Sequence, residues 1–177
     1  MFDARSYKNT AKLKGHRGFC FWVRYNKAGT HVVTAGMDRK VLLWDVRKAK
    51  KPLSIFEQDG VVRSADFMNG DQHVISSTLD GSIMIHSLDG TLSHHSRILG
   101  DKSEMEGNTC YCVLPYGDGT QVITTHEDEL TRESKFDPEA GSLEQTFEYH
   151  GHSNTIRYIG MEPGENRFVT ACEDQSL

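Results

Sequence analysis

Apolar and polar residues alternate along this chain in short runs, and turn-forming residues separate one run from the next. In the first part of the chain the runs are Phe19–Tyr25, His31–Ala35, Lys40–Val46 and the weaker Pro52–Phe56. A period of two, with β-branched and aromatic residues, is typical of half-buried β-strands. Because no long stretch has the 3.6-residue period of a helix, the pattern predicts a chain that is nearly all β.

This four-strand pattern repeats along the chain. The block Gly29–Asp38 matches Gly119–Asp128 without a gap, and it resembles Asp71–Asp80 and Glu165–Asp174. Each block ends on an aspartate: Asp38, Asp80, Asp128 and Asp174. The successive aspartates lie 42, 48 and 46 residues apart. Since a four-stranded propeller blade takes about 40–45 residues, the repeat predicts a β-propeller.

The repeat also sets the expected domain limits. We predict an N-terminal strand or arm over residues 1–14 and a partial propeller over residues 15–177, with a polar surface loop at Gly100–Gly107. The predicted blades cover residues 15–57, 58–105, 106–150 and 151–177. The strands predicted in the later blades are Val61–Phe67, His73–Ser77, Ser82–Leu88, Thr109–Leu114, Gln121–Thr125, Leu130–Phe136, Leu143–Phe147, Thr155–Met161 and Arg167–Ala171.

The number of blades predicts an incomplete propeller. The chain contains three full repeats, and the fourth stops after its second strand, which makes about three and a half blades. Propellers close with about four to eight blades. We therefore expect a truncated or partial propeller, or one that closes by pairing with another chain.

Composition restricts the class of protein. The chain has 177 residues and a net charge of -5, so it has no general electrostatic footprint for nucleic acid, and we expect no DNA partner. The longest apolar run, Phe19–Val23, is far too short to span a membrane. Four cysteines are too few for a disulfide scaffold. We therefore expect a cytoplasmic protein, with the nucleus as the alternative.

A short motif identifies the kind of blade. Gly15-His16 opens the first repeat, Trp44-Asp45 closes its third strand, and the 22-residue separation of His16 and Asp38 recurs between His152 and Asp174. The chain thus resembles the WD-repeat family, whose blades carry this Gly-His and Trp-Asp signature. The resemblance implies a buried hydrogen-bonded set of a histidine, a hydroxyl, the turn aspartate and the tryptophan. Its members here are His16, Thr34, Asp38 and Trp44 in blade 1 and His152, Thr170 and Asp174 in blade 4.

We interpret this set as structural. His16, Thr34 and Asp38 have the residue types of a hydrolase triad. However, the pattern recurs once per blade and no nucleophile-elbow sequence is present, so we predict no enzyme activity, no metal site and no cofactor. A buried carboxylate needs hydrogen-bond donors, and the histidine and hydroxyl supply them. Blades 2 and 3 keep Asp80 and Asp128 but place Gln58 and Glu106, or a neighbour of Glu106, at the histidine position, and His86 and Ser134 at the tryptophan position.

Residues 11–177 also resemble the β subunit of heterotrimeric G proteins. The likeness is carried by Leu13-Lys14-Gly15-His16, Asp38, Trp44-Asp45, Gly60-Val61-Val62 and Thr78-Leu79-Asp80. In that family the top face of the propeller binds the α subunit. The resemblance implies partner-binding positions at Phe19, Phe21, Lys51, Val61, Arg63, Leu79, Gly81 and Arg157. Only about ten residues precede the first repeat, so we expect no counterpart of the N-terminal helix that holds the γ subunit.

Four other groups of residues have simpler interpretations. We predict that Cys110 and Cys112 are core cysteines rather than metal ligands, and that His94, His95 and His126 are solvated loop residues. The acidic run Glu127–Glu129 is interpreted as surface charge. The basic run Arg47–Lys51 is a loop that is solvated or meets an acidic partner, a phosphate or RNA.

Together these features predict a non-enzymatic protein-interaction scaffold that is G-protein-β-like. In this hypothesis it acts in signal transduction and binds a G-protein α subunit or an effector on the propeller top face. The alternatives are a WD-repeat adaptor subunit in RNA processing or ubiquitin ligation, and a non-autonomous part of a longer propeller.

Overall fold

A computed structural model describes residues 1–3, 5–6, 8–9, 11–48, 50–97, 108–162 and 167–177. These residues form sixteen β-strands and one 3-10 turn, Val46–Lys48. At the N-terminus, β1 (Phe2–Asp3) pairs with β2 (Lys8–Asn9) in a short antiparallel hairpin. Within the described part of the chain no helix is long and apolar enough to cross a membrane.

Three four-stranded antiparallel sheets and one two-stranded sheet follow, each with its strands in chain order. Blade 1 consists of β3 (Cys20–Tyr25), β4 (His31–Gly36), β5 (Lys40–Asp45) and β6 (Ser54–Glu57). Blade 2 consists of β7 (Val62–Met68), β8 (His73–Thr78), β9 (Ser82–Ser87) and β10 (Leu92–Arg97). Blade 3 consists of β11 (Cys110–Tyr116), β12 (Gln121–His126), β13 (Thr131–Asp137) and β14 (Ser142–Tyr149). Blade 4 contains β15 (Ile156–Met161) and β16 (Phe168–Cys172).

The predicted all-β, incomplete WD-type propeller is therefore confirmed. The strands predicted in the four repeats begin and end within two residues of the observed bounds. The acidic segment Leu130–Phe136 does form a strand, β13, because alternate residues turn inward and Phe136 is buried. The predicted loop at Gly100–Gly107 lies outside the described residues.

The core lies between successive sheets. Val33 and Phe56 of blade 1 pack against Val62 and Phe67 of blade 2. A second cluster joins blades 2 and 3, and Ile159 of blade 4 packs in a third cluster against blade 3. Since a middle strand has a sheet neighbour on each face, β4 is buried at all five positions after its first residue. Burial on both faces produces the continuous apolar and small-residue runs of the second strands.

Every first strand is interrupted by a β-bulge at the same place. The register shifts lie between Cys20 and Trp22, Val62 and Ser64, Cys110 and Cys112, and Ile156 and Tyr158. A bulge leaves one residue unpaired and re-aims its side chain. The unpaired residues are Phe21, Arg63, Tyr111 and Arg157.

The turns that follow the second strands share one backbone feature. In each, the residue after the closing aspartate has a positive φ: Arg39 (60°), Gly81 (83°), Glu129 (72°) and Gln175 (68°). Only one of the four is glycine, although other residues adopt the left-handed region at a cost of about 1 kcal/mol or more. The hydrogen bonds made by the aspartates must therefore hold these turns.

One carboxyl group lies in an unfavourable environment on the first strand of blade 2. Asp66 of β7 is mostly buried and lies 3.6 Å from Nε of Arg24 in β3. Burial raises the pKa of Asp66 to about 6, and neither the N–H of Phe67 nor the charge of Arg24 offsets it. Because the folded-state pKa lies above the unfolded value, ionised Asp66 destabilises the fold above pH 6.

We expect Asp66→Asn to raise the free energy of unfolding near neutral pH by about 1 to 3 kcal/mol. The gain should shrink as the pH falls below 6, since Asp66 is then protonated in the folded protein. Urea unfolding over this pH range measures the difference. Glu144→Gln, at an exposed position of β14, is the control. A destabilised Asp66→Asn protein at neutral pH would contradict the prediction.

Candidate functional site

The predicted hydrogen-bonded set of blade 1 is brought together in the structure. His16 Nδ1 lies 2.8 Å from Asp38 Oδ1, and His16 Nε2 lies 2.8 Å from Thr34 Oγ1. The Trp44 indole N–H donates to the same hydroxyl over 2.9 Å, and the backbone N–H of Arg17 donates to Asp38 Oδ2. Burial opposes ionisation of Asp38, but these donors keep the pKa of its carboxyl below the ordinary value. The set locks the turn after β4.

Blade 4 repeats the geometry without the tryptophan. His152 lies 2.9 Å from Asp174 Oδ2 through Nδ1 and 2.7 Å from Thr170 Oγ1 through Nε2. Hydrogen bonds from Ser176 hold the pKa of Asp174 well below its usual range, because they outweigh the opposing effect of burial. Cys172 lies beside this set, and ligand atoms of the cysteine, His152 and Asp174 all lie within 4.8 Å of one another. Because the histidine and the aspartate bind each other as in blade 1, we assign them to the turn.

Blade 2 keeps the turn with different partners. Ser76, at the hydroxyl position, donates to Gln58 Oε1 over 2.8 Å, so the glutamine replaces the histidine. His86, at the tryptophan position, stacks on Phe56 with ring centroids 5.0 Å apart. Asp80 Oδ1 accepts a hydrogen bond from the hydroxyl of Thr78 within the turn.

Blade 3 holds its turn aspartate with an arginine. Arg132 of β13 donates to both carboxylate oxygens of Asp128, at 3.0 and 2.5 Å, and to Glu148 Oε1 at 3.1 Å. Asn108 Oδ1 accepts the backbone N–H of Asp128 over 3.1 Å. The predicted histidine replacement, Glu106, lies outside the described residues. Asp128 is held as the turn aspartate, as the repeat implies, and it forms a largely buried ion pair with Arg132, so only its neighbours in the acidic run are surface charge.

The prediction of solvated loop histidines is wrong in placing the three residues in loops, although His95 is exposed to solvent as expected. His126 ends β12 and has 0% exposure, and His94 and His95 lie in β10. Burial, reinforced by the charge of Arg132, holds the pKa of His126 far below its usual value. His126 follows two threonines in a strand that is covered on both faces, so the sheet neighbours bury it.

The cysteine prediction is confirmed, since Cys110 and Cys112 both have 0% exposure. Burial raises the pKa of Cys112 to about 12 and that of Cys110 still further, so both thiols are protonated at neutral pH. The thiolate is the metal-binding form, and these two cysteines are therefore poor ligands.

The predicted partner-binding positions fall into two places. Seven of the eight lie at the strand ends near the turns that follow the second strands, which we call the loop face: Phe19, Phe21, Val61, Arg63, Leu79, Gly81 and Arg157. The backbone N–H groups of Met37 and Leu79 bind the carbonyls of Phe19 and Val61 there. Lys51 is separate, because the loop between β5 and β6 lies at the opposite strand ends.

The four bulged residues form a ladder of alternating aromatic rings and guanidinium groups across the blades. Arg63 lies over the rings of Phe21 and Tyr111, at 5.1 and 5.5 Å from their centroids. Arg157 also lies over the ring of Tyr111, 4.3 Å from its centroid. Such cation–π contacts are each worth about 0.5–2 kcal/mol. We call these four residues the bulge ladder.

Tyr111 is the ladder member that sequence reasoning missed. The ladder residues Phe21, Arg63, Tyr111 and Arg157 are 42, 48 and 46 residues apart, the same spacings as the closing aspartates. Each ladder residue precedes its aspartate by 17 residues. Applying the repeat spacing to Phe21 would therefore have found Tyr111.

Comparison with known proteins agrees with this geometry. The family "WD domain, G-beta repeat" matches residues 7–45 and 50–87. The serine-threonine kinase receptor-associated protein of Dictyostelium discoideum is 32% identical over 77 residues, which cover 44% of this chain and 26% of that protein. Eukaryotic translation initiation factor 3 subunit I of Schizosaccharomyces pombe is 23% identical, covering 91% of this chain and 50% of that protein. The guanine nucleotide-binding protein G(I)/G(S)/G(T) subunit beta-1 of Homarus americanus is 23% identical, covering 93% and 46%.

Residues 7–45 and 50–87 thus match WD repeats, and the chain has a distant likeness to a G-protein β subunit. It spans half the length, or less, of these relatives.

We expect Asp38→Asn to lower the free energy of unfolding by about 2 kcal/mol. The two carboxylate oxygens of Asp38 accept from two different donors, and an asparagine offers only one acceptor oxygen. Urea denaturation measures the loss. Asp45→Asn, which removes charge from an exposed hydrogen bond, should change stability by well under 1 kcal/mol. Equal effects of both variants would argue against a turn lock.

We expect acid to destabilise the protein through His126. Its pKa is lower in the folded state, so the unfolded chain binds a proton first as the pH falls below 6.5. Between neutral pH and about pH 5, the free energy of unfolding of the wild type should fall by about 2 kcal/mol more than that of His126→Gln. Urea midpoints at the two pH values test this, with His95→Gln as the matched control. A parallel pH dependence in wild type and His126→Gln would refute the assignment.

Proposed function

We propose that this chain is a non-enzymatic protein-interaction scaffold that binds partner proteins on the loop face. The observation that carries this proposal is the bulge ladder. Four blades direct the equivalent residue of the first strand into one continuous row of rings and guanidinium groups. Aromatic residues and arginines are the side chains that most often dominate binding at protein interfaces.

The surroundings of the ladder support binding. Phe19 is 75% exposed and Met37 is 52% exposed, and Leu79 projects from the next turn. Large apolar side chains clustered on one face are typical of interaction surfaces. The locked turns keep these groups at fixed positions, which lowers the entropy lost on binding.

The partner we propose is a G-protein α subunit or one of its effectors. Seven of the eight positions implied by the likeness to G-protein β subunits lie on the loop face, and they include three ladder residues. A cytoplasmic location is part of this proposal, since few cysteines are typical of a reducing compartment.

A second candidate is a WD-repeat adaptor subunit in RNA processing. The exposed basic residues Arg47, Lys48, Lys50 and Lys51 lie together at the strand ends opposite the loop face. None of them forms an ion pair with another described residue. An unpaired basic cluster of this kind favours a phosphate or an acidic partner.

We expect a purified, GDP-loaded Gα subunit to bind the chain in biolayer interferometry. Arg63→Ala should weaken binding at least about tenfold, because it removes the centre of the ladder. Lys27→Ala, in an exposed turn at the opposite strand ends, is the matched control and should not change affinity.

An affinity that Lys27→Ala lowers as much as Arg63→Ala would place the contact elsewhere. If the wild type does not bind Gα at about 100 μM, the α-subunit partner is rejected. Ultraviolet crosslinking of the Arg47–Lys51 segment to RNA would then favour the adaptor.

A further inference from the structure

Arg63 carries an uncompensated positive charge at the centre of the loop face. Its guanidinium carbon lies 5.1 Å from the ring centroid of Phe21 and 5.5 Å from that of Tyr111. Nε of Arg63 is buried and has no hydrogen-bond partner, and no described carboxylate lies within 4.0 Å of the side chain. A buried N–H without an acceptor costs about 1–3 kcal/mol. The other N–H groups of this arginine have no acceptor among the described residues, so they are available to a ligand oxygen.

The other arginine of the ladder is already neutralised. Arg157 Nε donates to Glu173 Oε1 over 2.7 Å, and its Nη2 lies 2.5 Å from the same oxygen. The two arginines occupy equivalent bulges in blades 2 and 4, but of the two only Arg63 has no carboxylate of the described residues beside it. This difference makes Arg63 the expected anion-binding group.

The rim of the ladder divides into an apolar half and an acidic half. The equivalent turn positions are Met37 and Leu79 in blades 1 and 2, and Glu127 and Glu173 in blades 3 and 4. Met37 is 52% exposed and Leu79 is 40% exposed. Phe19, exposed beside Met37, extends the apolar half. An anionic ligand at Arg63 therefore has apolar surface on the side of blades 1 and 2 and the exposed carboxylate of Glu127 on the side of blade 3.

We propose that Arg63 binds a side-chain carboxylate of an acidic, apolar peptide segment of a partner protein. The segment lies across blades 1 and 2, with apolar side chains on Phe19, Met37 and Leu79. This inference rests on the proposed function and names the chemistry of the partner that the loop face accepts. An arginine held between two rings is oriented before the ligand arrives, so its N–H groups form charge-assisted bonds at a reduced entropic cost.

The charges favour a peptide over a nucleic acid. A nucleic-acid strand carries a phosphate at every nucleotide, and the exposed carboxylate of Glu127 would repel the phosphates that pass blade 3. The net charge of -5 also opposes a polyanion. A peptide can present one carboxylate to Arg63 and apolar side chains to its neighbours.

The test uses the full chain and three fluorescein-labelled eight-residue peptides in fluorescence polarisation. The first alternates leucine and aspartate, the second leucine and asparagine, and the third glycine and aspartate. The wild type should bind the first peptide at least about tenfold more tightly than either of the others. Arg63→Gln should remove the preference for aspartate, whereas Arg167→Gln, an exposed arginine at the opposite strand ends and the matched control, should retain it.

Thermal unfolding verifies that both variants fold, and Arg63→Lys provides a second variant that keeps the charge but loses the planar guanidinium. It should bind the leucine–aspartate peptide more weakly than the wild type and more tightly than Arg63→Gln. Equal binding of the aspartate and asparagine peptides overturns the proposal, and so does the absence of binding by the wild type below about 1 mM. Tighter, Arg63-dependent binding of a uridine octamer also overturns it.

These failures differ from a failure of the proposed function. If Gα binds the loop face but the peptides show no dependence on aspartate or Arg63, only the carboxylate inference is lost. If neither Gα nor any peptide binds that face, the scaffold proposal is lost as well.

Discussion

The packing of each sheet against the face of the next sheet is the constraint on which the rest of this structure depends. A second strand such as β4 is buried on both faces. Alternate residues of the strand therefore pack against blade 2 on one face and against the cluster around Trp44 on the other. Apolar residues such as Val33 need only a complementary surface there. A buried hydroxyl such as Thr34 needs a hydrogen-bond partner as well, since an unsatisfied polar group costs free energy. The recurring hydroxyl of the second strand thereby creates the demand that the polar sets meet.

The blades meet that demand in different ways while preserving one turn geometry. Blade 1 uses His16 and Trp44, whereas blade 2 uses Gln58 and stacks His86 on Phe56. In blade 3, Thr124 Oγ1 lies 2.8 Å from His126 Nε2, and Arg132 forms an ion pair with the turn aspartate. The turn after each aspartate nevertheless keeps a left-handed residue in all four blades. What the repeat conserves physically is a set of donors around a carboxylate, not a fixed set of residue types.

The same regularity connects structure to function. A bulge at an equivalent point of each first strand removes one residue from the hydrogen-bond ladder and turns its side chain toward the loop face. Because each blade has this bulge, each blade presents one such residue at an equivalent position near the loop face. Selection can then change the residue without changing the sheet. Here the four positions hold two aromatic residues and two arginines, and this composition gives the loop face its proposed chemistry.

Alternation, turn residues and repeat spacing by themselves determined the all-β class and the limits of the predicted strands to within two residues, although they missed β10. The members of the polar sets in blades 1 and 4 followed from the resemblance to WD repeats. These features could be read from the chain because they depend on neighbours in sequence or on a fixed repeat. The burial of His126, the pairing of Arg132 with Asp128 and the separation of Lys51 from the other predicted contacts were decided by tertiary structure. So was the difference between Arg63 and Arg157, since only the folded arrangement places Glu173 beside one guanidinium and leaves the other between two rings. Distances between side chains on different strands set these properties, and the order of residues along the chain does not specify those distances.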